Sequence, residues 1–237
     1  MKAIYKREMH AYFTSPVAYC VVGFFLALTG LYFWNINLTY KNIEFSNTLD
    51  GLSSFLVYFV PVITMKLLSE EKRNGTEVLL RTSPVKIWKI VVGKYFAAFT
   101  LFMILVLCTV ICPIIMSAYI NEEGVFPWAM TIGSYIGFIL LGAAYIAVGT
   151  LVSSLTENQS VAAVGGVVAL LLLTFMESLG TQIGGVIGSV MVWVSLSSRY
   201  GDFATGLFNL TSIFYYISFT VVVLFITTVN IERKRWN

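Results

Sequence analysis

The sequence predicts an all-α integral membrane protein with six transmembrane helices and an amphipathic interfacial helix ahead of them, folded as one domain over residues 1–237. Three observations predict it. The chain is 58% hydrophobic and only 11% charged, with a mean hydropathy of +0.83, whereas soluble domains carry about 25% charged residues. Its apolar residues fall into six runs able to cross a hydrocarbon core of about 30 Å, and in hydrocarbon a helix is the element that satisfies its backbone within one segment. Its basic residues gather on one side of those runs.

The N-terminal segment comes first. On a helix, Lys2, Lys6, Arg7 and His10 share one side, while Ile4, Tyr5, Met9, Ala11 and Tyr12 fall largely on the other with Glu8 among them. That pattern predicts a basic amphipathic helix lying on the inner membrane face and anchoring the first span. Ser15-Pro16 then ends it and starts the next helix. The apolar run from Val17 to about Asn35 exceeds the core of a cleaved signal peptide, about 7 to 15 residues, and reads as the first span.

The spans are expected at about 17–36, 52–68, 90–119, 128–155, 161–177 and 207–230. The third, near 45 Å at 1.5 Å per residue, must tilt, project from the membrane or bend at Pro113. The apolar stretch 183–198 is short for a crossing and suits a re-entrant or interfacial piece. With the N-terminus in the cytoplasm and six crossings, thirteen of the fifteen basic residues fall inside, leaving Lys41 and Arg199 outside. A seventh crossing would put Arg233, Lys234 and Arg235 outside, against the positive-inside rule. Gly180, Gly184 and Gly188, every fourth residue, would share one helix face and permit close backbone approach, in a hairpin or at a subunit contact. Gly133 and Gly137 form a second, weaker pair of this kind. Cys20, Cys108 and Cys112 lie in apolar runs and read as packing residues, and no His or carboxylate completes a metal site beside the last two.

One connection stands apart. Residues 69–94 hold nine of the twenty-seven charged side chains, six of them basic. Asn74-Gly75 signals a turn, Thr76 can cap a short helix over 77–82, and Ser83-Pro84 starts another. Val78, Leu79 and Leu80 are apolar on a segment expected in the cytoplasm, with charges around them, which fits either a docking surface or a loop that obeys the positive-inside rule and rests its apolar face on lipid. Trp88 is expected at the interface, and Lys86, Lys89 and Lys94 are expected to face water and headgroups.

This connection resembles the signature of type-2 ABC exporter permeases: a Glu-Lys/Arg pair, Gly-Thr, Glu-x-Leu-Leu, Pro-Val and a later Gly-Lys. The matching residues are Glu71, Lys72, Arg73, Gly75, Thr76, Glu77, Leu79, Leu80, Pro84, Val85, Gly93 and Lys94. The end of the chain is similar to the gliding-motility-like branch of that family, with paired Tyr215 and Tyr216 and a Glu-x-x-x-Trp ending at Glu232 and Trp236. The resemblance implies a permease subunit with a coupling helix between spans two and three. That helix would dock on a separate cytoplasmic ATPase, which binds ATP and Mg. It also implies a dimer with a second copy or paralogue, short outer helices between spans five and six, and a plasma or inner membrane location with both termini cytoplasmic. An external accessory protein is a further expected partner. Glu71, Arg73, Gly75, Thr76, Glu77, Leu79, Leu80 and Pro84 would form the ATPase-coupling site, and Lys2, Lys6 and Arg7 the interfacial helix.

The sequence carries no phosphate loop of its own: Gly93-Lys94 lacks the leading glycine and the following hydroxyl residue. No HExxH or GxSxG motif and no paired cytoplasmic carboxylates stand out. A net charge of +3 gives no nucleic-acid footprint. Two other classes fit the spans. A secondary transporter would carry ionisable groups at the midplane, where only Lys66 and Glu177 come near. A non-transporting subunit could pass ATPase motion to an external partner, but the outer connections are short apart from 178–206. The apolar, aromatic lining favours an amphiphilic cargo over a small ion.

Overall fold

The structure is a computed structural model describing residues 2–75, 86–119, 125–206 and 209–236. The described residues form helices joined by turns, and six of these are long and apolar enough to cross a membrane. The N-terminal helix α1 spans Lys2–Thr14. Ser15 follows in extended geometry, as a residue before proline must, and its Oγ accepts from Val17 N at 3.4 Å while Pro16 opens α2, Pro16–Tyr32. A π-helical stretch, Phe33–Thr39, prolongs α2, so the first span runs 16–39 rather than 17–36.

Span two is α3 (Ser46–Thr64) and α4 (Lys66–Arg73) joined at Met65. It runs beyond the expected end at residue 68 to Arg73, and Glu71 in this extension is taken up in the ion pairs described below. Span three is α5 (Ile87–Thr109) and α6 (Ile111–Tyr119), broken at Val110. The bend expected at Pro113 thus lies three residues earlier, since the proline ring displaces the carbonyl four residues back, at Thr109, and Pro113 has no N–H to donate. Spans four and five are α7 (Trp128–Leu155) and α8 (Gln159–Ile183). A short α9 (Gly185–Val194) and α10 (Tyr200–Ala204) follow before span six, α11 (Leu210–Trp236).

α7 is the hub. Two-thirds of its apolar stretch is buried, against 17% for α8 and 22% for α2. It packs against α3, α5, α8, α10 and α11. Phe102 of α5 stacks on Phe138 of α7 with centroids 5.9 Å apart, and Tyr135 stacks on Phe45 at 6.0 Å. Gly149 lets span two approach closely, since a Cβ there would lie 2.2 Å from Thr64 Oγ1.

The 183–198 stretch does not cross. At ten residues, α9 is about 15 Å long, half a hydrocarbon core. The three glycines do not share one continuous helix face. The backbone reverses at Gly184, with φ of 65°, so Gly180 and Gly188 face each other across a hairpin of α8 and α9. A Cβ on Gly188 would come within 2.3 Å of the Gly180 carbonyl oxygen. The expected close approach is present, between two antiparallel helices.

Candidate functional site

At the end of the bundle where α1, α4 and α5 meet, four charged side chains converge. Lys94 sits about two turns into α5 and is only 2% exposed. Its ammonium donates to Glu8 Oε1 at 3.0 Å, lies 3.0 Å from Glu71 Oε1, and donates to the Leu67 carbonyl at 2.5 Å. Those three partners match the three protons of an ammonium group. Arg7, more exposed, bonds Glu8 at 2.8 Å and also pairs with Glu71. Burial works to lower the Arg7 pKa, but the bonds from Glu8 and Glu71 outweigh it, and the pKa is raised. Two cations and two carboxylates thus tie α1 to spans two and three.

This placement corrects two sequence expectations. Lys94 does not face water or headgroups: α1 covers it, and Glu8 supplies the counter-charge that permits burial. Paired carboxylates do exist, as Glu8 and Glu71, hidden by their separation in sequence. The signal for Glu8 was present, because an acid on the apolar side of an amphipathic helix needs a buried partner. The same side of α1 is pinned by Tyr5 Oη donating to Thr100 Oγ1 at 3.0 Å and Tyr12 Oη donating to the Ile63 carbonyl at 2.8 Å. Burial pushes the Tyr12 phenol far up, and the Glu8 and Glu70 charges add to that. Lys2 and Lys6 remain exposed on the opposite side.

A second contact lies where the two parts of span two join. Ser153 of α7 inserts its hydroxyl at the junction, accepting from Leu68 N (3.1 Å) and Ser69 N (3.2 Å) and donating to the Met65 carbonyl (3.1 Å). These bonds tie span four to the junction of α3 and α4, where Met65 keeps helical dihedrals. Sequence reasoning missed Ser153, since nothing distinguishes it from other serines in spans. Beside it, Lys72 Nζ donates to the Ser154 carbonyl and Asn230 Nδ2 donates to Ser154 Oγ at 3.0 Å, bringing in span six.

The other expected coupling residues divide in two. Arg73 is exposed at the end of α4 and, with Glu157 and Asn158, lines a cavity of about 390 Å³. Gly75, with φ of 68°, ends the helix as expected for a left-handed glycine cap, its N–H donating to the Lys72 carbonyl at 3.1 Å. Thr76, Glu77, Leu79, Leu80 and Pro84 lie outside the described residues. Of the expected site residues, the structure brings Glu71 and Arg7 into direct contact. Arg73 and Gly75 stand at the start of the loop.

The opposite end of the bundle is organised differently. Arg199 lies over the rings of Trp193 and Tyr215, 5.6 and 4.3 Å from their centroids. Tyr215 Oη donates to the Val194 carbonyl at 2.7 Å and Tyr216 Oη to the Leu196 carbonyl at 2.5 Å, holding the α8–α9 hairpin to span six. Among the described residues no three His, Cys, Asp or Glu side chains converge as a metal site requires.

Residues 3–190 match a protein family described as ABC-2 family transporter protein. No curated protein matches the chain.

Proposed function

The chain belongs to the ABC-2 transporter family, as a multi-pass membrane permease subunit, and we propose that it exports its cargo using ATP hydrolysed on a separate ATPase gripped through residues 69–94. The observation that carries this reading is the Glu71–Lys94 pair. The charged connection leaves span two after Arg73 and enters span three at Ile87, with Glu71 in the last turn before it and Lys94 about two turns after it. The two helices flanking the connection are joined by the Glu71–Lys94 ion pair, which Glu8 and Arg7 extend to α1. A force on the connection therefore reaches span two, span three and the N-terminal helix together, with little slack at the join.

ATP and Mg belong to the partner in this reading, and this chain contributes no catalytic residue. Thr76, Glu77, Leu79, Leu80 and Pro84 form the docking segment, with Arg73 and Gly75 at its root. Thirteen of fifteen basic residues on one side support cytoplasmic termini. The exposed apolar faces of α2 and α8 suit a dimer with a second copy or paralogue, and the outer hairpin suits an accessory contact. Tyr215 and Tyr216, which brace that hairpin, are the residues behind the gliding-motility-like assignment of the tail.

Co-purification with a co-expressed ABC ATPase subunit from the same source tests the reading. Leu79→Asp or Leu80→Asp places an unpaired charge in the apolar contact and should abolish capture. Undiminished capture of both variants, or no capture of the parent chain, would refute it.

A further inference from the structure

Between α1, α2 and α3 lies a cavity of about 330 Å³ whose walls include Ser15, Lys66 and Glu70. It adjoins a second space of about 560 Å³, lined by Cys20, Phe24, Phe55 and Tyr58 and almost wholly apolar. The two share Val17, Val21 and Val62, so they form one continuous groove with a polar end and an apolar end. We propose that this groove is a binding site for one phospholipid whose headgroup carries both a phosphate and a primary amine, the ethanolamine class.

Charge selects the headgroup. Glu8, which also reaches the polar end, is occupied by Lys94 and Arg7. Lys66 and Glu70 stand one turn apart on α4, and neither forms an ion pair with any described residue. Lys66 Nζ has a single long contact, 3.4 Å to Ser15 Oγ, so two of its protons can meet a phosphate. Ser15 accepts from Lys66 and from Val17 N and keeps its own proton to donate to a phosphate oxygen. Glu70 then takes the ammonium. An anionic headgroup would leave Glu70 without a partner and beside a like charge, and a choline headgroup has no N–H to give it.

Length selects a lipid. From Glu70 to Phe55 the helices rise about 22 Å at 1.5 Å per residue. One leaflet with its headgroup layer is about 20–22 Å deep. The apolar end opens sideways between α2 and α3, where an acyl chain enters from the bilayer. The site rests on the proposed topology only for placing its polar end at the cytoplasmic leaflet.

Native mass spectrometry of the purified full-length chain, exchanged into detergent with dioleoyl phosphatidylethanolamine, phosphatidylglycerol or phosphatidylcholine, tests the site. One ethanolamine lipid per protomer should be retained, about tenfold over the other two, the worth of one charge-assisted hydrogen bond. Lys66→Gln and Glu70→Gln should each cut retention by about tenfold. Cys20→Trp should cut it as strongly by filling the apolar end with the headgroup residues intact. Equal retention of the three lipids, a preference for the glycerol headgroup, or variants that retain as much as the parent would overturn the proposal. So would oxidative cross-linking of Cys20 between two copies, which would put protein in the groove. No ATPase is needed, so failure here leaves the coupling reading standing, and loss of ATPase capture leaves this site standing.

Discussion

The two ends of the bundle hold their chain segments together by different physics. At the base, Lys94, Glu8, Glu71 and Arg7 join three separate segments through charge, and the central ammonium is buried. At the outer end, contact is made by backbone against backbone at Gly180 and Gly188, by tyrosine hydroxyls on carbonyls, and by one arginine lying on aromatic faces. The base has fixed partners at short distance and low exposure, so a push on any member displaces all. The opposite end is held by hydrogen bonds to backbone carbonyls, by ring faces and by close backbone packing. On the proposed reading, force enters at the end that carries the buried ion pair.

The sharpest way to break the comparison is to remove one cation from the base. Lys94→Met leaves Glu8 and Glu71 sharing Arg7 without the buried ammonium between them. Breaking a buried pair by deleting one partner costs about 3–5 kcal/mol. A thermal scan in detergent should show a large drop in Tm. Transport should be lost while ATPase capture, which the proposed function assigns to the 69–94 connection, persists. Adding Glu8→Gln to Lys94→Met removes the excess negative charge, keeps the Arg7–Glu71 pair, and should restore most of the Tm without restoring transport. If stability returns and transport returns with it, the ion cluster packs the base but transmits nothing.

The ends also differ in how much of them the sequence discloses. The six spans were legible because apolar run length and positive charge report on the bilayer directly. The outer hairpin was half legible: glycine spacing announced a close approach, but the reversal at Gly184 is a backbone choice that spacing alone leaves open. At the base, Glu71 and Lys94 were visible as positions in a family-like pattern, and their pairing was not, because the loop between them hides that its ends meet. Glu8 was recorded as an exception on the apolar side of α1 and is the counter-ion that buries Lys94. Ser153 left no trace, since a serine that bonds the backbone of a neighbouring helix looks like any other serine in a span. Contacts between segments distant in sequence account for each of these gaps.

A smaller effect is expected from closing the gap between α8 and α9. Gly188→Val sets methyl groups against the Gly180 carbonyl, where even a Cβ would sit at 2.3 Å. Overpacking of this kind costs about 1–3 kcal/mol. The hairpin should open, which maleimide labelling of a cysteine placed at Val192 would register as faster modification. ATPase capture should be unchanged. A loss of capture would mean that the two ends are rigidly linked, against the contrast drawn above.

The smallest effect should come from removing a cation at the outer end, the counterpart of Lys94→Met. Arg199→Gln gives up attraction to the Trp193 and Tyr215 faces, about 0.5–1 kcal/mol at an accessible site and near 2 when desolvated. It also removes Nε, a buried donor with no acceptor in the structure, which offsets part of the loss. Tm should therefore fall by only a small fraction of the Lys94→Met change. Tyr215, whose hydroxyl is fixed on the Val194 carbonyl, should keep its position and its fluorescence environment. If Arg199→Gln were as damaging as Lys94→Met, charge would be holding the outer end as well, and the division between an ion-paired base and an outer end held by other contacts would fail.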